Sequence, residues 1–174
     1  LIAAVDKAWG VGKQGDMPWH IPEDLYHFQE KTEGNVVIGG RRTYENFFNG
    51  KLDGPLPNRQ NILLTRHKDD VVEEYGSYDN LHYAGSLSEA VHKATGLSGE
   101  PWIIGGANVY EQSLDHGLVD EMWLSHLPHD YGCTTHFPQE SVTWDAWRVV
   151  DEDQRRAPES DDTETFTIKH YEKR

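Results

Sequence analysis

The stretch WIIGGANVY (102–110) runs three apolar residues into two glycines and then into a segment with helical spacing, and VVIGGRRTY (36–44) repeats the pattern. Consecutive parallel strands need a crossover helix between them, so a buried strand that turns through glycine into a helix is the unit of a mostly parallel sheet. Glycine at the turn lets the backbone approach a ligand closely. The free amides of the helix start present positive charge to an anion. Two such ends in one small sheet point to a phosphate-bearing ligand lying across it. Neither carries the spaced glycines of the standard dinucleotide fingerprint.

Outward from these units, further strand-like runs occur at Ile2–Val5, Ile62–Leu64 and Met122–Leu124. Helical period marks Glu23–Lys31, Arg41–Phe48, Leu87–Thr95 and Ala107–Leu114, the third opened by Ser86 and Glu89 at capping-box spacing. Near the end, Trp147–Asp151 and Thr165–Lys173 alternate like paired strands around the acid-rich stretch 152–164, which predicts a closing antiparallel hairpin with a long exposed loop. The expectation is an α/β fold in a single domain spanning residues 1–174, since no repeat, linker or low-complexity tract divides the chain.

A net charge of −14 argues against duplex nucleic acid or an anionic membrane surface as partner, and it makes any cluster of cations informative. Arg41, Arg42, Arg59 and Arg66 all fall near predicted strand ends, and the planar fork of arginine suits phosphate and carboxylate. No apolar run reaches the length of a membrane span. A single cysteine, Cys133, excludes an internal disulfide and suits a reducing, cytoplasmic compartment. Because Leu1 already falls in strand-like sequence, a short preceding piece is expected. Among ten histidines, His126, His129 and His136 form the best metal trio, but their spacing matches no tight ligand motif, so no metal site is predicted.

In GDMPWHIPEDLYHF (15–28), Pro22 suits a first helical turn, and Ile21, Leu25 and Phe28 form an apolar stripe. Asp24 lies on that stripe, although Glu23 already serves the helix dipole. WGVGKQGDM (9–17), with three glycines and no period, has the composition of a lid.

Taken in order, IAAVDKAWGVGKQGDMPWHIPEDLYHF, GGRRTYENF, PLPNRQNILLTR, IIGGANVY and THFP (135–138) resemble the dihydrofolate reductase family over nearly the whole chain. The resemblance implies a central, mostly parallel eight-stranded sheet flanked by about four helices. It also implies NADPH-dependent reduction of 7,8-dihydrofolate, by hydride transfer to C6 with a water-borne proton reaching N5, and hence a place in tetrahydrofolate biosynthesis. By position, Asp24 would bind the pteridine N3 and 2-amino group, Trp19 would hold the ordered water, and Ser125 would bond the acid. Ile2, Ala4, Leu25, Phe28, Phe47 and Leu56 would line the folate pocket, with the carbonyls of Ile2 and Ile104 at the pteridine edge and Arg59 on the glutamate α-carboxylate. For the cofactor, Gly40, Arg41, Arg42, Thr43, Thr65 and Arg66 match the adenosine-phosphate segments. Gly105, Gly106, Ala107 and Val109 match the pyrophosphate turn, with a cis peptide at Gly105–Gly106. Ala4 and Gly12 would approach the nicotinamide, and Met17 is a further cofactor-binding position. Antifolates would bind the same pocket, and a monomer is expected.

Asn108, Tyr44, Thr134 and a lengthened segment at 49–54 depart from the family pattern, which bears on cofactor affinity and loop closure. The rival readings are a reductase of another pterin or of a ribosylated pyrimidine, and a nucleotide-binding relative without turnover.

Overall fold

The computed structural model describes residues 1–157 and 165–174; the central part of the predicted loop, 158–164, lies outside the described residues. Four parallel strands, β3 (Val36–Gly40), β4 (Gln60–Leu64), β5 (Leu81–Ala84) and β6 (Pro101–Gly105), form one sheet in the order β5-β4-β3-β6. A second sheet has the order β1-β7-β10-β9. In it β1 (Ile2–Val5) runs parallel to β7 (Glu121–His126), while β10 (Thr165–Lys173) runs antiparallel to both β7 and β9 (Trp147–Arg156). The C-terminal hairpin is therefore as expected, except that its first strand continues to Arg156.

The single eight-stranded sheet implied by the resemblance is not formed: β1 and β6 lie side by side without a ladder. At this seam β6 shifts register against β3 between Ile38 and Gly39. The carbonyl of Ile2, which a ladder would use, instead accepts from the Tyr110 hydroxyl at 2.9 Å. One core nevertheless spans both halves, with Val5, Val36, Ile38, Ile62, Met122 and Leu124 all fully buried within it.

Among the described residues five α-helices flank the sheets rather than four: α1 (Pro22–Thr32), α2 (Arg41–Asn46), α3 (Lys68–Tyr75), α4 (Leu87–Ala94) and α5 (Ala107–Asp115). The added one, α3, has the sequence KDDVVEEY, whose period is hidden because only Val71 is buried. β5 escaped notice because it is a four-residue edge strand with half-buried His82 and Tyr83. Alternation decides which face each helix covers. Ile38 turns towards α4 and α5, whose Ala90, Ala94 and Val109 share its cluster. Val37 turns to the opposite side with Ile2, Leu56 and Ile104, against Phe28 of α1.

α1 begins with Pro22, carries Glu23 and Asp24 in its first turn and ends near Lys31, the charge order a helix dipole favours. At α4 the Ser86 hydroxyl accepts from the Glu89 amide at 3.1 Å, and the Glu89 carboxylate accepts from Gly85 N at 2.8 Å, one residue earlier than a standard capping box. α2 runs into a π turn over Phe47–Lys51, which overlaps the start of the lengthened segment 49–54, and Phe48 in it stacks on Tyr75 at 4.6 Å. A two-stranded ribbon of β2 (Gly10–Gly12) and β8 (Thr135–His136) holds the glycine-rich loop. Among the described residues no helix is long and apolar enough to cross a membrane.

Candidate functional site

A cleft of about 1240 Å³ opens where the strand ends of the two sheets face α1 and α2. Its walls include every residue named above for substrate and cofactor, together with Asp24 and Trp19, but not Ser125, which stands behind Asp24. Helix α1 carries Asp24 inward, where only 9% of it is exposed. Ser125 on β7, paired in register with Ala4 of β1, donates its hydroxyl to the carboxylate. Burial raises the Asp24 carboxyl to about 6, against the smaller lowering effects of Ser125 and of the more distant Arg155. A protonated or readily protonated acid thus sits in an otherwise apolar wall made of Ile2, Phe28, Leu56 and Ile104. Beside it the Trp19 ring lies 5.3 Å from that of Tyr131, and its buried indole N–H has no protein acceptor among the described residues. That leaves a donor beside the acid suited to an ordered water.

At the other end of this wall Arg59 is 7% exposed. Its Nε donates to Thr32 Oγ1 at 2.8 Å and its Nη1 to the Pro57 carbonyl at 2.6 Å. No carboxylate pairs with it among the described residues, and burial lowers its pKa. Glu33 acts on it only from beyond ion-pair distance, and a buried guanidinium so weakly compensated is costly. Leu56, next to this arginine, is positioned by the fully buried Asn61. The amide side chain of Asn61 accepts from Leu56 N at 3.1 Å and donates to Leu56 O at 2.9 Å. The sequence offered a signal for this in a polar residue opening an apolar strand, but not for its partner.

The two glycine pairs meet at the cofactor end. A Cβ on Gly40 would come within 3.2 Å of Val109 and 3.8 Å of the Gly105 carbonyl, so a side chain there would fill the cradle between the strand ends. The Gly105–Gly106 peptide is cis, as the resemblance implied. Gly106, the residue before α5, offers no side-chain cap, so the first amides of the helix are left without a side-chain acceptor at this end of the cleft. Arg42 and Arg66 are exposed on the rim without a carboxylate partner among the described residues. Arg41 differs: its Nε lies 2.7 Å from Glu45 and its Nη2 3.8 Å from Glu74, so its charge is already engaged. Asn108, one of the departures, bonds Gln112 on its own helix. Tyr44, another, is fully buried, with its hydroxyl 3.3 Å from Asn61 Oδ1.

The glycine-rich loop lies over this junction. Lys13 and Asp16 close its tip through reciprocal backbone bonds, Gly15 adopts φ 87°, and the Asn46 side chain of α2 donates to the Gly15 carbonyl. Gly12 accepts from the Thr134 amide at 2.9 Å, so a backbone bond ties the loop at this departure from the family pattern. Sequence reasoning missed the loop's main anchor, Asp6. This 3% exposed carboxylate accepts from the amides of Ala8 (2.9 Å), Gly10 (2.6 Å) and Tyr131 (3.0 Å). Burial alone would raise its pKa, but these amides and the Cys133 thiol hold it below the usual carboxylate range. Of the histidine trio, His126 instead bonds the Tyr171 hydroxyl at 3.1 Å.

Comparison with known proteins gives the same reading. The family model described as dihydrofolate reductase matches residues 1–173. Dihydrofolate reductase HdrB of Haloferax volcanii is 34% identical over 174 residues, covering 100% of this chain and 82% of the relative. Dihydrofolate reductase of Bacillus subtilis (strain 168) is 30% identical over 154 residues, covering 88% of this chain and 82% of the relative. Among solved structures, the dihydrofolate reductase from Enterococcus faecalis complexed with NADP(H) and RAB-propyl superposes with a TM-score of 0.78 at 28% identity, covering 99% of this chain and 94% of that one. With the buried acid, the abutting glycine pairs and the cleft between them in place, the chain belongs to the dihydrofolate reductase family.

Proposed function

We propose that this chain acts as one domain and as a monomer, reducing 7,8-dihydrofolate to tetrahydrofolate with NADPH in a reducing, cytoplasmic compartment. The observation that carries the reading is the pairing, in one cleft, of a buried acid raised to about 6 with a buried arginine that has no carboxylate at ion-pair distance among the described residues. A flat heterocycle with an anionic tail satisfies both. A monomer suffices because a single chain supplies all the walls of the cleft. The free thiol of Cys133 suits the compartment.

Asp24 orients the pteridine by accepting from its N3 and 2-amino groups and favours the protonated heterocycle. Ser125 fixes the rotamer of Asp24, and Trp19 holds the water through which a proton reaches N5. Arg59 binds the α-carboxylate of the tail, and the apolar wall from Phe28 to Ile104 excludes bulk water. For the cofactor, the glycine cradle and the α5 amides fit a pyrophosphate, with Thr43 and Thr65 beside it. Arg42 and Arg66 fit a ribose phosphate. NADPH, when bound, supplies the hydride. The residues of the chain bring the two rings face to face and close Met17 and the glycine-rich loop over them.

The test follows NADPH absorbance with and without dihydrofolate, for the wild type and for Asp24→Asn. Consumption that requires dihydrofolate and is crippled in the variant is expected. A silent wild type would leave a nucleotide-binding relative, and full activity in the variant would remove Asp24 from its role.

A further inference from the structure

Outside the cleft, β7 and β10 bring Glu121, His170 and Glu172 together, one ligand atom from each lying within 4.8 Å of the others. We propose that these three side chains bind a divalent first-row transition ion of the zinc class, linking β7 to the C-terminal strand. None of the three lines the folate and cofactor cleft.

The register produces the arrangement. Glu172 pairs directly with Glu121, and His170, two residues before Glu172, shares its face and pairs with Trp123. Two glutamates opposite each other across an antiparallel pair repel, so this position favours a cation between them. One imidazole and two carboxylates form a mixed N/O donor set that suits zinc and its neighbours, whereas magnesium and calcium prefer oxygen donors alone.

The imidazole is held in place before any ion arrives. Its ring stacks on Trp123 at 4.0 Å with the planes 10° apart, and Lys31 Nζ lies 3.6 Å from the centroid of the same indole. This orientation aims His170 Nε2 at Glu121 Oε2, 2.9 Å away. A tetrahedral zinc with ligands at about 2.1 Å sets its donor atoms roughly 3.4 Å apart, so rotation of the two glutamates closes the site without moving the strands. Glu121 is 55% exposed, leaving the site open to water ligands. Glu172 also meets Arg148 at 3.2 Å, but that pair is solvent-exposed and yields readily. The net charge of −14 raises the local concentration of cations.

The experiment titrates the intact protein with Co²⁺ and follows its visible d–d absorption. A band saturating at one equivalent, displaced by Zn²⁺ and unaffected by equal Mg²⁺, is expected. His170→Gln should abolish the band. Glu172→Gln should weaken binding at least about tenfold, since even outer partners of metal ligands cost that much. Zn²⁺ should raise the Tm of the wild type but not of His170→Gln. Circular dichroism verifies that each variant is folded, and if His170→Gln is not, the half-exposed Glu172→Gln decides alone. Absence of a saturating band, or a band unchanged in the folded variants, would mean diffuse counterion binding and overturn the proposal.

Discussion

Replacing Asp24 by asparagine should make the ligand-free protein more stable while disabling it. The carboxyl moves from its ordinary 3.8 to about 6 because it is buried, which corresponds to roughly 3 kcal/mol opposing ionisation in the folded state. The folded chain therefore holds this proton more tightly than the unfolded chain. The stability linked to it is fully present below the ordinary carboxyl range and is lost as pH rises from there through about 6. At neutral pH the wild type bears that cost. Asparagine is nearly isosteric, keeps an oxygen to accept from Ser125 and carries no charge. Denaturant unfolding should show Asp24→Asn more stable than wild type by up to about 3 kcal/mol at neutral pH, with the gain shrinking towards zero near pH 4. In the same variant, hydride transfer from NADPH to dihydrofolate should fall roughly a hundredfold or more. The wild-type rate should decline as pH rises through about 6, and the variant should lose that decline. A variant no more stable than wild type at neutral pH, or one equally active, would refute the account of Asp24 as a buried acid kept for chemistry.

Three further outcomes follow from the cleft. Arg59→Gln should raise the KM for dihydrofolate about ten- to a hundredfold, as expected for one charged hydrogen-bonding group, and leave NADPH binding intact; steady-state kinetics with each substrate varied separates the two. Arg66→Gln should lower the preference for NADPH over NADH, measured as the ratio of kcat/KM values, by about tenfold, whereas Arg41→Gln should change it little because Glu45 and Glu74 already neutralise Arg41. Asp6→Ala should destabilise the fold by about 2 kcal/mol or more by stranding the amides of Gly10 and Tyr131, and hydrogen exchange should rise first in the glycine-rich loop.

The parts legible in the sequence were those whose physics is local. Glycine pairs after apolar runs gave the strand–helix units at 36–44 and 102–110, and four helices came within two residues of their observed ends. Asp24 drew notice as an acid on an apolar stripe, and the order of motifs gave the family. What escaped was polar or short: α3 buries a single side chain, and β5 is a half-exposed edge strand, so neither leaves a clear hydrophobic period.

Other features were decided only when distant segments met. That β1 and β6 lie side by side without a ladder, with the Ile2 carbonyl accepting from the Tyr110 hydroxyl 108 residues away in sequence, is a matter of how distant segments pack. Arg41 is engaged first by Glu45, a local partner four residues on in α2, and the fold adds only a looser second contact at 3.8 Å from Glu74 on α3, a helix the sequence did not reveal. Asp6 holds the loop through the nearby amides of Ala8 and Gly10, but only the fold brought Tyr131 to its second oxygen, and His170 met Glu121 through strand register. Local pattern records which face each residue needs to bury, and that is enough to set the elements and the family. Cross-strand charge pairing and the burial of a particular polar group depend on which remote neighbour arrives, so those were settled by the tertiary fold alone.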